Sequence, residues 1–212
     1  SIGLKRLFKI KDNLEWIINE RAIAYGFGIH PKHYLTDYHK FFINRINDGE
    51  IVLDVGCGQA IVAANIASLR KKSFVIGIDI NKKNIDKGKS LINGKGLKNI
   101  KLICGDINDQ KNVKVDKVII SNVLEHINDR KKFIENLKLI TGSKYFLIRV
   151  PLFERDWQIP LRKELGIGYY SDIDHKIEHT IEEFKNEIKD SKLLIKEIIT
   201  VWGEIWAYCI NE

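Results

Sequence analysis

A chain of 212 residues, 44% hydrophobic and 30% charged, has room for one well-buried α/β domain with an appendage and too little for two domains of ordinary size. No apolar run approaches the ~20 residues that a membrane helix needs, and the opening Ser-Ile-Gly-Leu-Lys-Arg mixes apolar and basic residues where a secretory signal has a continuous apolar centre. The formal charge of +7 is spread over small basic groups beside acids, such as Arg70, Lys71 and Lys72, which reads as a solvated surface ahead of a nucleic-acid groove.

In residues 12 to 24, Leu14, Ile17, Ile18 and Ala22 recur on one stripe and predict a helix. Two glycines and Pro31 interrupt regular structure over residues 25 to 31. A second helix is expected at about residues 33 to 47, where Leu35, Tyr38, Phe42 and Ile46 share a face before Asn47-Asp48-Gly49 ends it. Residues 1–49 therefore read as a helical cap on a domain of residues 50–212.

Residues 51 to 60, Ile-Val-Leu-Asp-Val-Gly-Cys-Gly-Gln-Ala, organise that domain. Ile51, Val52, Leu53 and Val55 form a buried strand, Gly56 and Gly58 a tight turn, and Ile61, Val62, Ile66 and Leu69 recur at helical spacing. A strand, a glycine turn and a helix in that order make a nucleotide-type cofactor loop. The dinucleotide fingerprint needs a third glycine at position 61, where Ile61 stands. Asp54 repels a diphosphate and suits a cofactor that carries an ammonium or sulfonium charge.

The stretch Leu-Asp-Val-Gly-Cys-Gly-Gln-Ala resembles the first motif of class I S-adenosylmethionine-dependent methyltransferases, with Ala60 in place of the last glycine. The resemblance continues over roughly residues 50 to 210. It implies a Rossmann-like seven-stranded α/β sheet, mostly parallel with a C-terminal antiparallel hairpin and helices on both faces. It also implies S-adenosylmethionine as cofactor, S-adenosylhomocysteine as product, and cofactor contacts at Asp54, Gly56, Cys57 and Gly58. The cap would shape the acceptor pocket, with Tyr25, His30, Tyr34 and Tyr38 as lining candidates.

Ser73 to Asp79 is a second apolar run that ends in a carboxylate about 20 residues beyond the glycine loop, where a doubly wound sheet presents an acid to a ribose. Asp79 is the expected ribose ligand, and Ile80 can lie against the adenine. Asn81 caps a helix through Ile85, Leu91 and Ile92. The third strand, Ile100 to Cys104, leads to Gly-Asp, and the resemblance makes Asp106 and Ile107 adenine contacts.

Val115 to Ser121 is the fourth strand. The following Ser-Asn-Val-Leu-Glu-His-Ile resembles the segment of small-molecule methyltransferases that passes the cofactor's reactive end, which brings in Ser121, Asn122 and His126. The Asp/Asn-Pro-Pro-aromatic motif of nucleic-acid amino methylation and the Pro-Cys of cytosine C5 methylation are absent here. Neutral imidazole exists at pH 7 and can take a proton from an acceptor hydroxyl. Asn128 or Asp129 caps the next helix, with Phe133, Ile134, Leu137 and Ile140 on its apolar face, and Tyr145 to Val150 is the fifth strand.

Residues 151 to 179 mix aromatics with ionisable groups, among them Arg155, Trp157, Tyr169, Tyr170, Asp172, Asp174, His175 and His179. That composition suits a substrate loop, and His175 is a second base candidate. His175 and His179 stand four apart, a metal-ligand spacing if a helix forms, but two histidines seldom suffice and no metal is expected. Thr180-Ile-Glu-Glu is a capping box, and Leu193 to Val201 with Glu204 to Ile210 read as a hairpin.

The expected activity is methyl transfer to an oxygen, with nitrogen second, of a small-molecule or glycan-like acceptor. An RNA methyltransferase and a non-catalytic cofactor-binding partner subunit are the alternatives. Cys57, Cys104 and Cys209 lie far apart and indicate reduced thiols in a cytoplasmic setting.

Overall fold

The structure is a computed structural model that describes residues 2–28 and 30–212. Its centre is one sheet of β1 (Ile51–Val55), β2 (Phe74–Asp79), β3 (Ile100–Cys104), β4 (Lys117–Ser121), β5 (Tyr145–Pro151), β6 (Leu194–Val201) and β7 (Glu204–Ile210). The order across the sheet is β3-β2-β1-β4-β5-β7-β6. The first five strands pair in parallel, and β7 runs antiparallel to both of its neighbours. β4 starts two residues later than its apolar run, at Lys117.

Burial of both sheet faces explains the near-continuous apolar runs. On one face Leu53, Val55, Val118, Ile120, Phe146 and Ile148 pack with α-helical side chains such as Phe133, Leu137 and Phe184. On the other, Val52, Val75, Ile119, Leu147 and Trp206 meet Ala63, Ile66 and Ile85. β6 and β7 join through Trp202 and Gly203, both at positive φ (56° and 76°), the backbone of a tight two-residue hairpin turn.

The helices are α1 (Ile2–Tyr25), α2 (Lys32–Leu35), α3 (Lys40–Ile43), α4 (Ile61–Leu69), α5 (Lys82–Gly94), α6 (Arg130–Thr141), α7 (Gln158–Glu164) and α8 (Ile181–Asp190). Three caps follow from the sequence: Asn81 accepts from Lys83 and Asn84 N–H, Asp129 from Lys132 N–H, and Thr180 forms a complete capping box with Glu183. None of the helices among the described residues is long and apolar enough to cross a membrane.

The N-terminal region departs from its expected helices. α1 starts ten residues earlier than position 12, because no glycine or proline after Gly3 breaks the helix before Lys11. Its Leu14, Ile17 and Ile18 stripe stays exposed; α1 docks instead through Phe8 beneath the Arg162 guanidinium and an Asp12–Arg162 ion pair. The single helix expected at 33 to 47 is two one-turn helices, α2 and α3, separated where Asp37 takes a φ of 50°. The break lets Tyr38, Phe41 and Phe42 pack edge-on and tilted against Trp206.

Candidate active site

Strand order reverses between β1 and β4, so the loops after these strands part and leave a crevice at their carboxyl ends. Gly56 occupies the crossing point. It has a φ of 64°, and a Cβ there would lie 2.5 Å from Val123 Cγ2, so no larger residue fits between the two loops. Ala60, in the place of the last glycine, also takes a left-handed φ of 60° and starts α4.

Two adjoining cavities share Gly56, Gly58 and Asn84. The outer one, about 470 Å³, is lined by Asp79, Ile80, Asp106, Ile107, Asn122 and His126, together with Val123, Phe133 and Asp174. The inner one, about 280 Å³, is lined by Asp54, Cys57 and Ser121, together with His33, His39 and Arg149. The predicted cofactor residues thus fall along one continuous groove.

Asp79 ties its outer end. One carboxylate oxygen accepts from Gly58 N–H at 2.8 Å and the other from Asn81 N–H at 2.7 Å, which joins the tip of β2 to the glycine loop. A carboxylate has about four acceptor sites, so two remain for a ligand. Asp106 caps a single turn over Ile107–Asp109, holding Asn108 through N–H and side chain.

At the inner end Asp54 is 1% exposed, and its Oδ2 has no hydrogen-bond partner among the described residues; the same holds for Ser121 Oγ. Burial pushes the Asp54 carboxyl up to about 7, partly offset by Arg149 and the Ala63 N–H. An orphaned buried carboxylate beside a glycine loop fits a ligand that offers an ammonium group, as S-adenosylmethionine does.

The same residue gives a stability prediction. Its carboxyl titrates at about 7 when folded and near the usual 3.8 when unfolded, so the folded state binds the proton more tightly. Stability from this group therefore falls as pH rises from about 4 to 7, and the full cost persists above 7. Asp54→Asn is expected to raise the melting midpoint of the ligand-free protein by several degrees at pH 8, since ~1 kcal/mol is worth about 2–4 °C in a chain of this size. The gain should fade toward pH 4, and a thermal melt series across pH checks it.

Arg149 was hidden in the apolar reading of β5. Its Nε donates to Asn122 Oδ1 at 3.1 Å, and its guanidinium lies over the rings of Tyr38 (4.4 Å) and Trp206 (5.0 Å). Glu204 lies 3.9 Å away and accepts a hydrogen bond from the Tyr38 hydroxyl, and burial pushes that hydroxyl's pKa far up. His33 and His39 complete the wall. Burial lowers them to about 4 and about 3, so both are neutral at pH 7. Of the cap residues named from the sequence, Tyr38 is buried in this wall while Tyr25 and Tyr34 are exposed.

A charged cluster adjoins the outer cavity at His126. The rings of His126 and His175 stand edge to face at 4.6 Å. His126 Nδ1 lies 3.0 Å from Asp174 Oδ2, and His175 Nδ1 lies 3.4 Å from Glu178 Oε1. Glu178 is in turn bonded by Arg155 and by the Ser171 N–H. Burial opposes protonation of His175, but the bond to Glu178 and the nearby Glu125 outweigh it and raise its pKa. Glu125 is fully buried, neither carboxylate oxygen has a partner among the described residues, and burial pushes it up to about 7.

No helix forms through residues 172 to 179, so the four-residue spacing of His175 and His179 does not bring them to a common point. His179 turns the other way, fully buried with Nε2 3.1 Å from Glu187 Oε1. Glu125, Arg149, Arg155 and Glu178 received no individual role from the sequence. The available signal was a lone charge inside an apolar run, at Arg149 in Phe-Leu-Ile-Arg-Val and at Glu125 in Val-Leu-Glu.

A family model described as a methyltransferase domain matches residues 46–209. A probable (S)-tetrahydroprotoberberine N-methyltransferase 2 of Papaver bracteatum is 29% identical over 102 residues, 47% of this chain and 28% of that protein. The ribosomal protein L11 methyltransferase of Thermotoga neapolitana is 28% identical over 128 residues, 60% of this chain and 46% of that one. The chain spans less than half the length of these curated relatives. The crystal structure of magnesium protoporphyrin IX methyltransferase from Synechocystis PCC 6803 with bound SAH shares the fold, with a TM-score of 0.68 and 16% identity over 93% of this chain and 100% of that one. The glycine loop, the sheet order with its closing hairpin and the match to residues 46–209 converge: the chain belongs to the class I S-adenosylmethionine-dependent methyltransferases.

Proposed function

We propose that the chain transfers the methyl group of S-adenosylmethionine to an oxygen of a small hydroxylated or glycan-like acceptor, with nitrogen second. The observation that carries the acceptor reading is a cavity of about 670 Å³ between α1, α7 and the turn after β6. Trp16, Tyr169, Tyr170 and Trp202 line it with Asp12, Asp156, Gln158 and Arg162. Aromatic faces cover the C–H faces of a sugar ring, and acids, amides and guanidinium groups take its hydroxyls. Arg155 lines the same cavity and is bonded to Glu178, which faces His175.

When bound, the cofactor supplies an electrophilic methyl on a sulfonium. Asp79 accepts from the ribose hydroxyls; Ile80, Asp106 and Ile107 hold the adenine; Gly56, Cys57 and Gly58 pass close beneath. Asp54 pairs with the ammonium, so Asp54→Asn should weaken S-adenosylhomocysteine roughly tenfold even as it stabilises the free protein. Ser121 and Asn122 flank the reactive end, where His126 and His175 act on the acceptor hydroxyl. Alignment at ~3 Å and exclusion of water do the rest.

The test is methyl transfer from isotope-labelled donor to a panel of mono- and oligosaccharides, with transcribed RNA and ribosomal protein as parallel acceptors. Label in a base-stable ether of a sugar is the expected result. Label only in RNA or protein would replace the reading.

A further inference from the structure

We propose that Glu125, His126 and His175 form a binding site for one divalent first-row metal ion, in departure from the metal-free chemistry expected from the sequence. Each offers a ligand atom, and the three atoms lie within 4.8 Å of one another. They come from two separate segments, the turn after β4 and the loop after α7, which Lys176 N–H ties together by donating to the Glu125 carbonyl at 2.7 Å.

Glu125 is the decisive member. It is 0% exposed, both of its oxygens are buried, and neither has a partner among the described residues. A buried carboxylate left so is costly unless something binds it, and a cation held jointly with two imidazoles satisfies both oxygens and the charge.

The surroundings fit. Glu178 faces His175 Nδ1, which leaves Nε2 as the nitrogen free to ligate, and Arg155 fixes Glu178. A carboxylate on the far nitrogen of a ligating histidine is the usual outer support of a metal site. Asp172 and Asp174 form a second group with His175 on the exposed side. Glu178 carries its own counter-charge in Arg155, so it supports His175 without competing for the ion. Mixed imidazole and carboxylate donors suit Mn²⁺, Fe²⁺ or Co²⁺ better than an all-oxygen ion such as Ca²⁺.

The ion's role rests on the methyltransferase reading given above. Beside the outer cavity, such a cation draws electron density from an acceptor hydroxyl and lowers its pKa. The O–H proton leaves to solvent, the oxygen bonds the methyl carbon, and the C–S electron pair returns to sulfur as S-adenosylhomocysteine forms. The two histidines then act on the hydroxyl through the ion.

Mn²⁺ binding to the full chain, freed of metal and without donor, tests the site by calorimetry and electron paramagnetic resonance. One ion per chain is expected, with affinity lowered at least ~10-fold in Glu125→Gln and in His175→Ala, and a melting midpoint raised by Mn²⁺ in the wild type alone. No binding of Mn²⁺ or Co²⁺ at about 1 mM, or equal binding in Glu125→Gln, would overturn it. S-Adenosylhomocysteine titrated in EDTA separates the two ideas: donor bound without any Mn²⁺ site sinks the ion alone, while Mn²⁺ bound without donor supports the ion and sinks the transferase reading.

Discussion

Asp79→Ala is expected to lower affinity for S-adenosylhomocysteine by roughly 10²–10⁴-fold, because two hydrogen bonds from ribose hydroxyls to a carboxylate contribute about 1.5–3 kcal/mol each. The substitution also frees Gly58 N–H and Asn81 N–H, the bonds that hold the glycine loop against β2. A second titration separates these effects. If Asp79 serves the ribose, an analogue of S-adenosylhomocysteine lacking both ribose hydroxyls should bind the wild type about as weakly as the natural ligand binds the variant. Equal affinity of the wild type for both ligands would remove Asp79 from the ribose site and leave it a loop anchor.

His126→Ala and His175→Ala are expected to lower kcat by roughly 10²–10⁴-fold each while affinity for S-adenosylhomocysteine stays unchanged. The split follows from position. His126 lines the outer cavity, while His175 is absent from its lining and contacts His126, Glu178 and Ser171. Their effects should fall well short of additive, as for residues that act as a unit. Since His175 is buried, His175→Asn with an intact near-ultraviolet circular dichroism spectrum guards against a folding defect. Near-normal turnover in both variants would leave substrate alignment as the whole of catalysis.

The domain core was legible because its signals are local. Five parallel strands announce themselves as apolar runs, the hairpin turn as Trp202-Gly203, and three helix starts as Asn81, Asp129 and Thr180. The cap was less so. Whether residues 33 to 47 continue as one helix depends on Tyr38 and Phe42 reaching Trp206, a contact across more than 160 positions that forces the break at Asp37. Likewise the exposed stripe of α1 has the periodicity of a buried one, and only the Arg162 contacts reveal which face docks.

The site divides along the same line. Residues that follow glycines or end strands, from Asp54 to Asn122, line the groove where their sequence positions put them. Arg149, Glu125 and Glu178 received no role from the sequence, because the significance of a buried charge lies in what surrounds it. A single Arg in a strand or Glu in a turn looks like surface until Trp206, His175 or Arg155 is brought against it by distant chain. Residues 151 to 179 contain α7 and deliver His175 to His126 without the helix that a four-residue histidine spacing would need.

Crystals of the chain with S-adenosylhomocysteine test the account most directly. Density is predicted along the groove, with both ribose hydroxyls on Asp79, the ammonium on Asp54 and the sulfur facing the gap between Asn122 and His126. A ligand with its sulfur turned away from His126, or its ribose away from Asp79, would contradict the account.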